Sequence, residues 1–241
     1  SDALNYFIYD SAGRVRYTLQ AVASPLSFPF DARLSAMSYD GAGRSLGTQV
    51  VTGLSVDHGR RRIMKKKGTA TESDFATFIS ANASTAQSGR TVYDAAGRTT
   101  YSIDATGAFT RTWYDAIGRS VAVRRFAAVF PAALLNDGAT TAQLDGQLVP
   151  IGAWDAAYQH EYRVYDAAGR RRISYDALGQ VTQTDYDGAG RTTITRRYAV
   201  PFYATDPNLG SKLFAGAATP ADFAPGVAVK TPVIDFVPHA P

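Results

Sequence analysis

The chain predicts an all-β fold: repeated β-hairpins forming an extended curved sheet, with short helices in the inserts that separate groups of hairpins. Three observations predict it. A Tyr-Asp-x-x-Gly-Arg motif recurs from one end of the 241 residues to the other, the intervals between copies have strand length and strand composition, and each longer interval carries a helix-start pattern. A recurrent motif at regular spacing marks a repeat architecture.

The motif itself predicts the turns. Full copies are Tyr9-Asp10…Gly13-Arg14, Tyr39-Asp40…Gly43-Arg44, Tyr93-Asp94…Gly97-Arg98, Tyr114-Asp115…Gly118-Arg119, Tyr165-Asp166…Gly169-Arg170 and Tyr186-Asp187…Gly190-Arg191. Tyr175-Asp176…Gly179-Gln180 has lost its Arg, and Ile103-Asp104…Gly107 is degenerate. Asp suits the first position of a type I turn because its carboxylate accepts backbone N–H groups two residues on. Gly three residues later takes a positive φ without steric cost, which completes a three-residue hairpin loop with a bulge. Tyr and Arg bracket the turn from opposite strands, so the spacing predicts that they meet as a cross-strand aromatic–cation pair.

The strands follow from the period. Asp94, Asp104 and Asp115 are 10 and 11 residues apart, as are Asp166, Asp176 and Asp187. That leaves roughly five to seven residues for each strand, a usual length, and Tyr, Thr, Ile and Val fill them. Thr99, Tyr101 and Ile103 share one strand face; Thr182, Thr184 and Tyr186 share another, opposite Val181, Gln183 and Asp185. The second pattern has no strongly apolar side, which predicts a broad sheet wetted on both faces rather than a sandwich.

The inserts predict helices. Thr71, Thr140 and Thr219 are each followed three residues later by Asp74, Gln143 and Asp222. In such a capping box each side chain satisfies a backbone N–H that the helix leaves free, so the three threonines are expected as N-caps. Pro220 suits a first helical position. Phe75, Phe78 and Ile79 fall on one helical face, predicted to pack on the sheet. The array as a whole, residues 1–241, divides into three long units, approximately 1–92, 93–164 and 165–241. Residue 1 is Ser, followed at once by strand-like sequence, and the last insert runs 54 residues past Asp187, about one unit. The expectation is a fragment of a larger protein.

Composition excludes several function classes. Hydrophobic residues make up 45% of the chain, too many for a disordered segment, and no apolar run approaches the ~20 residues of a membrane-crossing helix. Cysteine is absent, which removes disulfides and thiolate metal sites. The net charge of +4 gathers in Arg60-Arg61-Arg62, Lys65-Lys66-Lys67 and Arg170-Arg171-Arg172. Charged edges of this kind discourage edge-to-edge pairing of strands, and nucleic-acid binding through residues 60–67 is the weaker reading. His58, His160 and His239 have no metal-ligand spacing. Ser55, Asp57 and His58 are close in sequence but lack a nucleophile elbow. The aspartates stand one per turn, not grouped as a calcium site needs. No catalytic, cofactor or metal residue is therefore expected, and the chain reads as a non-enzyme.

The repeated Tyr-Asp-x-x-Gly-Arg resembles the YD or RHS repeat of bacterial polymorphic toxins, insecticidal toxin-complex shells and teneurins, over most of the chain. The resemblance implies that the sheet is an arc of a β-shell, a spiral of hairpins around a hollow interior. In the toxins such a shell encloses a C-terminal cargo domain; in teneurins a comparable shell carries adhesion surfaces. This sequence differs in its longer insert units. It also lacks the associated-core signature that ends the toxin shells, since Asp206-Pro207 stands outside any such pattern. The function implied is a non-enzymatic structural scaffold of a large secreted or cell-surface protein, enclosing a toxin cargo. The alternative is an adhesive module binding glycan or protein through exposed Tyr and Arg rows. Implied partners are neighbouring repeats of the same larger chain, with a cargo domain or a glycan or protein ligand.

Overall fold

The computed structural model describes residues 5–21, 30–56, 72–81, 87–148, 157–176, 178 and 180–198. The expectations for Thr71, Thr219, Pro220, Gly179, His58, His239 and the basic run 60–67 lie outside these residues. Twelve strands follow one another: β1 (Asn5–Tyr9), β2 (Val15–Ala21), β3 (Phe30–Tyr39), β4 (Ser45–Val56), β5 (Gln87–Tyr93), β6 (Thr99–Ile103), β7 (Phe109–Tyr114), β8 (Ser120–Phe126), β9 (Ala157–Tyr165), β10 (Arg171–Tyr175), β11 (Val181–Tyr186) and β12 (Thr192–Arg197). Helix α1 (Glu72–Ala81) lies between β4 and β5, and a 3-10 turn (Ala132–Leu134) and α2 (Thr141–Asp145) lie between β8 and β9. The strands form an open, antiparallel sheet whose order is the chain order, β1 to β12. Thr140 directly precedes the first residue of α2.

The residues group into two compact units: Ser1–Val92 with Ser102–Gly107 and Pro131–Thr140, and Tyr93–Tyr101 with Ala108–Phe130 and the chain from Thr141 on. In the first unit, register builds an apolar row across three strands. Leu19 faces Leu34, and Leu34 faces Val51. All three are buried, together with Tyr17 and Ala32. Helix α1 covers this row with Phe75 and Ile79, four residues apart on one helical face, and the Phe75 ring stacks on Tyr17 at 5.7 Å. Full burial of a side chain such as Leu34 contributes roughly 1.5–3 kcal/mol, so this helix is held by its apolar stripe more than by its intrinsic propensity.

The second unit carries a row of its own. Ala122 faces Tyr162, Tyr162 faces Tyr175, and Tyr175 faces Val181. Val164 and Ile173 pair one row further on. An aromatic group adjoins it, with Phe109 at 4.8 Å from Phe126 and 4.2 Å from Phe130, and Tyr101 at 5.7 Å from Phe130. Here the sequence expectation of a sheet wetted on both faces fails. Tyr101, Phe109, Phe126 and Val181 are all buried. The cause is the insert: Phe130 reaches the aromatic group, and the insert's Leu144 and Leu148 are themselves buried. A strand's own periodicity does not register cover supplied from another segment.

Candidate functional site

The recurrent residues build one constellation many times over. In each full turn the Gly N–H donates to the Asp carbonyl and the Asp N–H donates to the Arg carbonyl, at 2.9–3.0 Å. The turn glycines have φ between 76° and 89°. Asp Oδ1 accepts two backbone N–H groups, for example those of Ala12 and Arg14 at 2.9 Å in the first turn. Asp Oδ2 accepts the Nε–H of the turn's own Arg at 2.6–2.8 Å in all six full copies. The motif Tyr sits at the register shift beside the turn, as at Trp113/Tyr114 and Asp185/Tyr186.

The Arg does not meet the Tyr of its own hairpin. It reaches across to the next full copy. The Arg14 guanidinium lies 4.6 Å over the Tyr39 ring, Arg98 4.6 Å over Tyr114, Arg119 4.4 Å over Tyr165 and Arg170 4.8 Å over Tyr186. Each of these tyrosines donates its hydroxyl backwards to the carbonyl of the residue after that Arg: Tyr39 to Val15 (2.8 Å), Tyr114 to Thr99 (2.7 Å), Tyr165 to Ser120 (2.9 Å) and Tyr186 to Arg171 (2.9 Å). Arg14 and Arg170 also donate through Nη1 to the Asp40 and Asp187 carbonyls, at 3.2 Å each. The expected own-hairpin pair is thereby corrected. The Asp holds the Arg head against the turn, which aims the guanidinium sideways rather than across its own two strands. The motif is a clasp between successive hairpins.

Strand alternation explains which copies are complete. In an antiparallel meander, odd-to-even turns share one end of the strands and even-to-odd connections share the other. In the second unit, the turns at 115–118, 166–169 and 187–190 are odd-to-even and clasped. The turn at 176–180 is even-to-odd. There Asp176 Oδ1 still accepts the Leu178 and Gln180 N–H groups at 2.9 Å, but Gln180 stands in place of Arg. In the first unit, Asp104 likewise accepts the Thr106 N–H at 2.8 Å in a turn with no Arg.

The clasp sets the charge state of its aspartates. Asp10, Asp166 and Asp187 are held below the ordinary value of 3.8, first by the backbone N–H of their own Arg, with its guanidinium adding to the effect. For Asp40, Asp94 and Asp115, desolvation pushes upward, and the Arg N–H, guanidinium and charge together outweigh it. Their oxygens are spent on donors already present. Among the described residues, no group of three or more His, Cys, Asp or Glu side chains is placed to hold a metal ion.

Two charged residues that no sequence pattern marks for burial lie on the core face of the second unit. Arg111, 6% exposed, donates through Nε and Nη2 to the two carboxylate oxygens of Asp145 on α2, at 2.9 Å each. Tyr101 donates its hydroxyl to the same carboxylate, and burial followed by the Asp145 charge pushes its pKa far up, so it stays protonated. Arg124, also 6% exposed, donates to the Tyr162 hydroxyl through Nη2 at 2.6 Å. His160 lies beside it with a buried Nδ1, and both burial and the Arg124 charge lower its pKa, leaving a neutral ring. The Arg111–Asp145–Tyr101 group links the sheet to the insert, and the Arg124–Tyr162 pair links β8 to β9. Of the basic cluster 170–172, Arg170 is a clasp residue and Arg172 bonds Asp185 at 2.6 Å. No helix among the described residues is long and apolar enough to cross a membrane.

No protein-family model matches the chain, and no curated protein matches it. Among solved structures it is similar to TcdB2-TccC3-TEV, at 13% identity and a TM-score of 0.46, over 80% of this chain and 8% of that one. It is similar to TcdB2-TccC3 without its hypervariable C-terminal region, at 14% identity and a TM-score of 0.45, over the same shares of the two chains, 80% and 8%. It is also similar to the Photorhabdus luminescens Tc holotoxin pore, at 11% identity and a TM-score of 0.35, over 81% and 9%. The chain spans less than a tenth of the length of these proteins, and the likeness is one of fold alone.

Proposed function

We propose that the chain is a segment of an RHS/YD-type β-shell: a non-enzymatic scaffold within a larger secreted or cell-surface protein, enclosing a toxin cargo. The observation that carries the reading is the clasp. Every residue type that the motif repeats has its interactions satisfied inside the sheet. Asp is spent on the turn and on Arg, Arg on Asp and the next Tyr, and Tyr on the previous carbonyl. Residues kept for chemistry need free lone pairs, acids raised toward the working pH or a nucleophile beside a base; the motif aspartates are instead held low and bonded. Hairpins linked in series to their neighbours suit a wall that is extended by repetition.

The same observation counts against adhesion through the Tyr and Arg rows, because their ring faces and guanidinium groups are already in contact with each other. The test is protease protection in the parent polypeptide. Sequence downstream of the array should resist a protease under native conditions. It should become cleavable when two successive clasp arginines, Arg119 and Arg170, are both replaced by Ala. A downstream domain cut equally fast in the unaltered protein would overturn the enclosing role. Turnover of a hydrolase or transferase substrate that is lost with His160→Gln would overturn the non-enzymatic one.

A further inference from the structure

The first unit holds a cavity of about 230 Å³ between the sheet and the insert helix α1, bordered on one side by Tyr17 and Ile79 of the apolar group and lined by no clasp residue. Register explains why it exists. Two cross-strand rows on one face form its floor: Tyr17, Ala36, Gln49 and Ser88 are successive partners, and so are Ser38, Gly47 and Arg90. Small residues stand in the middle of each row, so the floor is sunken there. At Gly47 a Cβ would come within 2.7 Å of the Gly89 carbonyl and 2.9 Å of Arg90 Cδ. The absence of a side chain at that point lets β4 and β5 close up and keeps the hollow open.

The lining is polar and largely unspent. Gln49 and Ser88 on the floor and Ser80 on α1 line this space, and their side chains have no protein hydrogen-bond partner. Arg90 uses Nη1 on Asp137 and on Ser38, which leaves its Nε–H and Nη2 donors available. Asp137, from the insert after β8, has a side chain 51% exposed and keeps a second carboxylate oxygen free to accept. The charges cancel locally: Arg90 pairs with Asp137, and Arg16 pairs with Glu72 on α1 at 2.9 Å. With each guanidinium already matched by a carboxylate, the lining carries no net positive charge to favour an anion.

We propose that this cavity binds a neutral sugar ring. The lining offers alternating donors and acceptors, an amide, three hydroxyls, a guanidinium edge and a carboxylate, which is the complement of vicinal hydroxyl groups. The volume is that of about seven or eight waters at ~30 Å³ each. It is below the ~300 Å³ at which pockets for drug-sized ligands begin, which limits the occupant to a single ring. The site is independent of the scaffold reading and of the Tyr and Arg rows.

The experiment is a titration of the intact chain with methyl glucoside, methyl galactoside, methyl mannoside and N-acetylglucosamine, read by calorimetry and by saturation-transfer NMR. Inorganic phosphate serves as the charged probe. At least one sugar should bind with a dissociation constant on the order of 1 mM, the scale that ligand efficiency allows a ring of about a dozen heavy atoms. Gln49→Ala and Ser88→Ala should each weaken it about tenfold, the factor for one lost hydrogen bond of ordinary strength. Thr192→Ala, on exposed β12 in the second unit, should leave it unchanged. Circular dichroism of each variant establishes that the fold persists, and Ser80→Ala on α1 supplies a substitution outside the sheet. No binding of any neutral sugar at 50-fold that scale would overturn the proposal. So would binding indifferent to all three cavity substitutions, or phosphate binding more tightly than every sugar.

Discussion

The turns at 166–170 and 176–180 lie at opposite ends of β10 in the second unit, with the same aspartate bonds and different company. In both, the Asp carboxylate accepts backbone N–H groups and the Asp N–H closes on the carbonyl four residues later. At 166–170 the Arg is pinned to Asp166 at 2.8 Å and stacks on Tyr186 at 4.8 Å. At 176–180 Gln180 is exposed and makes no such bridge. The difference separates two functions that the motif carries together. Asp and Gly make the turn; Arg and Tyr join one hairpin to the next.

Substitutions can pull those functions apart. The largest effect is expected where both fail at once. Gly118→Val places a β-branched residue at φ 89° and brings its Cβ to 3.3 Å from Arg98 Nη1, the clasp donor of the preceding copy. A loss of about 2 kcal/mol in urea melts is expected, from left-handed strain plus a disturbed clasp. An unchanged midpoint would mean that the turn tolerates a side chain there. Next, Arg119→Ala should cost about 1–2 kcal/mol through its charge-assisted bond and its stacking on Tyr165. Gln180→Ala should stay within about 0.5 kcal/mol, as exposed substitutions do. Equal costs at the two ends would erase the distinction. Smaller again, Tyr165→Phe keeps the ring under Arg119 and removes only the bond to the Ser120 carbonyl. That should cost about 0.5–1 kcal/mol, with faster hydrogen exchange confined to β8–β10.

The comparison also has a pH form, in which the clasped end and the broad core face of the second unit titrate in different windows. The clasp aspartates have pKa values below 3.8 when folded. Their contribution is fully present above the unfolded value and is lost as pH falls through the folded one. His160 is also depressed, from 6.5, by burial and by Arg124. The native state binds the neutral ring, so its contribution is complete above pH 6.5 and declines as pH falls below that. Thermal melts between pH 7 and pH 5 should fall in Tm, and His160→Gln should flatten that slope while leaving the steeper acid loss below pH 4.

What the sequence disclosed and what it withheld divide along the same line. The turns were legible because their chemistry is local: Asp115 and Gly118 act within four residues. The strands were legible from period and composition, and the Phe75/Ile79 face of α1 from helical spacing. The Arg–Tyr partnership was misread because Arg98 and Tyr114 are 16 residues apart and meet only after two further strands are laid down. Nothing in the sequence marks Arg111 and Arg124 for burial, because the Asp145 carboxylate and the Tyr162 hydroxyl that satisfy them arrive from 34 and 38 residues away. The cavity was invisible for the same reason: Ser38, Gly47 and Arg90 become a row only when the register is known.

The strand order, β1 to β12 without a crossover, bears on how such a polypeptide is made. Each strand finds its first partner in the segment just before it, so hydrogen bonding needs no residue that has yet to be synthesised. Contacts that are short in sequence close quickly, at small entropic cost. The clasp works in the same direction, since each Tyr donates to a carbonyl already laid down. Growth from a ribosome therefore meets a finished edge at each described strand, and assembly waits longest at the inserts before β5 and β9.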